Sequence, residues 1–130
     1  MGCDTDGIVI TTCKDVKIIA SLLTKAIWKI PVDKDESPFI HGINNGNPTY
    51  NPHSDTLSFN FVDGKDKRNL FVCLDCDSDH INLGENSISM ILGCWGNSVE
   101  LMKLFLGALS PLGDCYLHEN DAVGEPVKVN

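Results

Sequence analysis

Two segments of this chain space their apolar residues at helical intervals, and short β-branched or alternating runs stand before, between and after them. That order restricts the fold more than any other feature. A helix buries one stripe and a strand one face, so the two kinds of element must be laid against each other. Val16, Ile19, Ala20, Leu23 and Ile27 form the first stripe and predict a helix over about residues 13–29. Thr12 with Asp15 reads as its capping box, and Pro31 as its stop. Val99, Leu101, Met102, Leu104, Phe105, Leu106, Ala108 and Leu109 make the second segment strongly apolar, opened by Asn97 with Glu100 and closed by Pro111-Leu112-Gly113.

The strand signals are shorter. Residues 7–11 form a short run of β-branched residues after Gly7, and residues 56–62 alternate apolar with polar. Asp63-Gly64 then opens a turn into a second run over 69–77, so the pair predicts a hairpin. Residues 87–95 and 114–118 supply two more strands. Residues 31–56 hold four prolines and the turn signal Asn44-Asn45-Gly46-Asn47; they read as a long surface loop or a hairpin insertion with residues 38–41 and 49–50 as arms. Residues 120–130 read as a polar tail that frays. The expectation is a single α+β domain over 1–130, with an antiparallel-rich sheet of about four to six strands and two helices packed on one face.

Charge is unevenly distributed along the chain. Residues 1–68 carry nine carboxylates against eight Lys and Arg, whereas residues 69–125 carry nine carboxylates against Lys103 alone. A folded domain with such an imbalance attracts basic partners and repels nucleic acid. With Arg68 as its one arginine and a net charge of −8, the chain lacks a counterion-releasing surface. No apolar run is long enough to span a bilayer. The acidic opening MGCDTDG does not read as a signal peptide, and Asp6 stands where a myristoylation motif wants Ser or Thr. A cytoplasmic location is the expectation.

Six cysteines without an export signal read as reduced thiols rather than a disulfide framework. Cys73-Leu74-Asp75-Cys76 has C-x-x-C spacing, but inside a strand residues three apart face opposite ways, and no second pair completes a zinc set. Continuation of that strand would put Phe71, Cys73, Asp75, Asp77 and Asp79 on one face. The Asp75-x-Asp77-x-Asp79 start suggests a calcium loop, yet His80 replaces the turn glycine and Asn86 the bidentate glutamate. Neither a metal nor a cofactor is expected.

His118-Glu119-Asn120-Asp121 is a dense polar cluster after a strand. It makes His118, Glu119 and Asp121 the candidates for acid–base chemistry if the chain is a small hydrolase or transferase, with residues 31–56 as a lid. No nucleophile elbow, dinucleotide fingerprint or P-loop accompanies them. Trp28 and Trp95 both sit beside apolar segments and read as core or core-edge residues, Trp95 being the better anchor for a partner.

The chain size, the acidic second half and the ending Leu112-Gly113-Asp114-Cys115-Tyr116-Leu117-His118-Glu119-Asn120-Asp121 resemble small acidic bacterial immunity proteins of polymorphic or contact-dependent toxin systems. That resemblance implies a compact binding protein that plugs the site of a basic toxin, most plausibly a nuclease. Asp75, Asp77, Asp79, Glu119 and Asp121 would then steer and pair with the partner's cations, and Trp95 and Tyr116 would anchor it. A phage-encoded inhibitor of a host defence nuclease uses the same physics.

Overall fold

The computed structural model describes residues 4–31, 48–64, 66–74, 86–93, 97–119 and 126–130. The elements run β1 (Asp4–Ile10), α1 (Val16–Ile27), β2 (Pro48–Asn51), β3 (Thr56–Asp63), β4 (Asp66–Cys73), β5 (Ser87–Gly93), α2 (Ser98–Leu109), β6 (Asp114–Glu119) and β7 (Val127–Lys128). Seven strands form one antiparallel sheet in the order β2-β3-β4-β5-β1-β6-β7. The fold is α+β, as the periodicity predicts, with more strands than expected.

The two extra strands are the edges. β2 carries Thr49 and Tyr50, one arm of the expected hairpin, but pairs with β3; the other arm, residues 38–41, lies outside the described residues. β7 comes from the expected frayed tail and lies against β6 through Tyr116↔Lys128 and Leu117↔Val127. Asn130 fastens that end further: its side chain accepts from the Cys115 amide at 2.8 Å and donates to the Gly113 carbonyl at 3.0 Å. A strand of two residues falls below what alternation can reveal, and one of four sits at its lower limit.

Side chains that point to the inner face meet the helices. Val9 of β1, Phe59 and Phe61 of β3, Leu70 and Val72 of β4, and Met90 of β5 are buried there. Ile19, Leu23, Ala26 and Ile27 descend from α1, and Leu101, Met102, Phe105, Leu106 and Leu109 from α2. Phe61 and Phe105 meet edge to face, with ring centroids 5.7 Å apart and planes at 79°. Gly7 lets α2 come down onto the central strand, since a Cβ there would lie 2.6 Å from the Met102 Sδ. Above it the Thr5 and Ser98 hydroxyls satisfy each other at 3.0 Å, both buried.

Three local expectations are corrected. The cap of α1 is Asp15 itself, whose carboxylate accepts from the Lys17 and Ile18 amides; Thr11, not Thr12, makes the neighbouring turn by accepting from the Cys13 amide. α1 ends at Ile27, before Pro31, and Trp28 is 67% exposed at its C-cap. The helical period explains this: Ile19, Leu23, Ala26 and Ile27 occupy the inward stripe and leave Trp28 outside it. Finally, Cys73 is disulfide-bonded, whereas Cys13 and Cys115 are free. The expectation of reduced thiols rested on compartment and chain size, neither of which fixes the state of an individual cysteine. β4 ends at Cys73, short of the expected Asp77, with a turn at Leu74.

Candidate functional site

The sheet has a second, outer face turned away from the helices, and cross-strand register arranges it in rows. One row runs Ser58, Phe71, Ile91, Asp6 and His118 across β3, β4, β5, β1 and β6. Beside it on one side lie Asn60, Asn69, Gly93 and Asp4; on the other lie Thr56, Cys73, Ser89, Ile8 and Tyr116. Phe71 and Ile91 are directly paired, and each is 41% exposed. Strand alternation dictates this: their neighbours Leu70, Val72, Met90 and Leu92 all take the inner face.

This apolar pair has polar surroundings. On the β3–β4 side, the Asn69 amide donates to the Ser58 hydroxyl at 2.8 Å and to the Asn60 carbonyl oxygen at 3.0 Å, fixing a flat polar shoulder. On the β1 side stand the half-buried carboxylates Asp4 and Asp6. A groove of about 400 Å3 follows Phe71 and Ile91, with Lys67, Asn69 and Gly93 along it. Behind it, Arg68 is buried on the inner face and donates to the Gly93 carbonyl at 3.1 Å. Burial lowers the Arg68 pKa, an effect opposed by Asp63 and Asp66.

Of the residues singled out by the sequence, the structure brings together only part. His118 and Glu119 are adjacent on β6 and therefore take opposite faces: Glu119 pairs with Thr5 and is exposed, while His118 faces Asp6. The His118 Nδ1 lies 3.8 Å from an Asp6 carboxylate oxygen, an ion-pair approach too long for a hydrogen bond. Tyr116 is half-buried on the outer face, next to Ile8 in register. Asp75, Asp77, Asp79, Trp95 and Asp121 lie outside the described residues. Four grooves lined by described residues, along the helices and beside Phe71, do not include His118.

Lys14 marks both ends of the acidic segment. Its ammonium donates to the Leu74 carbonyl at 2.6 Å and the Ser87 carbonyl at 2.7 Å, the end of β4 and the start of β5. It thereby ties together the two points between which Asp75, Asp77 and Asp79 lie in sequence. Asp6, Asp4, Phe71 and Ile91 as a group escape sequence reasoning because three different strands bring them together. The one available signal was alternation, which put Phe71 and Cys73 on a common face.

Among the described residues no group of three or more His, Cys, Asp or Glu side chains is placed to hold a metal ion. No helix among them is long and apolar enough to cross a membrane. No family model matches the chain, and neither a curated protein nor a solved structure does.

Proposed function

We propose that the protein is an acidic binding protein that inhibits a basic partner enzyme, and that its outer sheet face makes the contact. The observation that supports this reading is the exposed Phe71–Ile91 pair set beside Asp4, Asp6 and the Phe71 groove. An aromatic and an aliphatic side chain at the centre of a patch, with charges around them, is the arrangement in which a few desolvated anchors carry affinity and the rim sets orientation and rate. Tyr116, half-buried on the same face, lies one register row away beside the buried Ile8. The net charge of −8 favours a cationic target over nucleic acid.

A toxin-immunity role is the most concrete form of this proposal, with a toxin nuclease as the target. A phage-encoded inhibitor of a host nuclease fits the same surface, and the neighbouring genes separate the two. A cytoplasmic setting belongs to the proposal and has one observation against it, the Cys73 disulfide, since such bonds persist mainly in oxidising compartments. Mass spectrometry under non-reducing conditions, on protein taken from its own cells, decides that point.

The functional test is kinetic. Reversing Asp4 and Asp6 to Lys is expected to slow association with the basic partner about tenfold or more and to flatten its salt dependence. Unchanged association at low salt contradicts the assignment of these carboxylates.

A further inference from the structure

The helical layer carries a second surface of opposite character. Between α1 and α2 runs a groove of about 440 Å3 whose floor is apolar, built from Leu22 and Ala26 on one helix and Leu104 and Ala108 on the other. Lys25 and, just past the end of α1, Lys29 stand on one wall and Lys103 on the α2 wall, and among the described residues no carboxylate lines the groove. α1 contains no Asp or Glu at all. The acid nearest in α2 is Glu100, which reaches Lys103 only at 4.0 Å with both side chains well exposed. In a chain of net charge −8, this is a local reversal of sign.

We propose that this groove docks an acidic amphipathic helix of a partner protein. The walls cover residues 22–29 on the α1 side and 103–108 of α2, so the occupant lies along about two helical turns, roughly 9–12 Å of the groove. It presents one apolar stripe to the floor and carboxylates on both flanks to the facing lysines, which describes an amphipathic helix with acidic shoulders. Gly107 fits the same purpose: a Cβ there meets nothing within 4 Å, so packing inside the fold does not require glycine, and its bare backbone lets a partner approach closely. The apolar surface continues past the shared Lys25 and Lys29 to Trp28, an exposed anchor at the mouth. A bilayer fits less well, because the floor is recessed between the helices and cannot reach acyl chains. A second copy is disfavoured, since the inward stripes of both described helices are already buried in the core.

The test uses the full chain and a fluorescein-labelled synthetic peptide of about 18 residues, with leucines at i, i+3, i+4 and i+7 and glutamates on the flanks. A scrambled peptide of the same composition is the control. Expected results are saturable binding about tenfold tighter than the scrambled control and weakening with salt. A similar loss is expected in Lys25→Glu/Lys29→Glu/Lys103→Glu. Gly107→Leu keeps every charge, points into open space and is expected to block the groove just as well. Several results would overturn the proposal: no binding, equal binding of the scrambled peptide, or undiminished binding by Gly107→Leu. So would retention on anionic phosphatidylglycerol vesicles that the peptide does not compete away, or a dimer in sedimentation that Gly107→Leu abolishes.

Discussion

Phe59 and Phe71 belong to adjacent strands of one hairpin and lie in neighbouring register rows, yet they end in opposite surroundings. Phe59 on β3 points to the inner face and is fully buried under the helices; Phe71 on β4 points outward and is 41% exposed. The inner face is a packed apolar layer whose helical roof presents lysines outward. The outer face presents an apolar pair beside carboxylates. Parity along a strand, not residue type, decides which aromatic ring serves stability and which is left for a partner.

Truncating the two rings is the sharpest way to break that comparison. Phe59→Ala is expected to cost about 3–5 kcal/mol in urea unfolding, through lost burial and the cavity left behind. Phe71→Ala is expected to cost less than about 1 kcal/mol in the same experiment and to weaken partner binding instead. Equal destabilisation by both would mean that the outer face is a second core.

Lys14 is the next largest effect. Replacing it with Met removes two charge-assisted bonds to the ends of β4 and β5 and leaves the Leu74 and Ser87 carbonyls without that donor. A loss of about 2–3 kcal/mol is expected, with earlier hydrogen exchange at the β4–β5 end of the sheet than at β1–β6. Uniform exchange across the sheet would show that Lys14 does not hold this end in particular.

Cys115 tests the inner face by pH. Its thiol is buried, donates to the Leu106 carbonyl at 3.3 Å, and is pushed up to about 11, mainly by burial and then by Asp114. The unfolded chain releases this proton near an ordinary thiol pKa of about 8.5 while the folded chain still holds it. Stability is therefore complete below about pH 8.5 and falls as pH rises toward 11, by about 3 kcal/mol at most. Cys115→Ala is expected to remove that part of the slope in unfolding curves taken at successive pH values; an unchanged slope assigns it to other groups.

The smallest effect belongs to the helical roof. Gly107→Ala adds a methyl to open space and raises helix propensity, so a gain of about 1 kcal/mol is expected on thermal unfolding. A loss would show that the α2 backbone is under a constraint that the open surroundings do not explain.

What the sequence revealed follows the range of the interactions. Both helical stripes were legible because their periodicity is local, and so was the β3–β4 hairpin, with its alternation and its Asp63-Gly64 turn. The central place of β1 was not, because Asp4–Ile10 pairs with β5 and β6 from the far half of the chain. That pairing also undoes the reading of charge by halves. Asp4 and Asp6 come from the nearly neutral half yet join the outer face, while Lys103 from the acidic half joins Lys25 and Lys29 on the roof. His118 was singled out, but its partner was expected among its sequence neighbours; register gives it Asp6 instead.

The most direct measurement compares what two immobilised versions of the protein retain from a lysate of its own organism: the native chain and Phe71→Ser/Ile91→Ser. The account predicts that the native chain holds a basic enzyme at low salt, inhibits it, and releases it at high salt, whereas the double variant folds normally and retains none. A basic enzyme held equally by both would contradict the assignment of the outer face, and a native chain that inhibits nothing it retains would contradict the inhibitor reading itself.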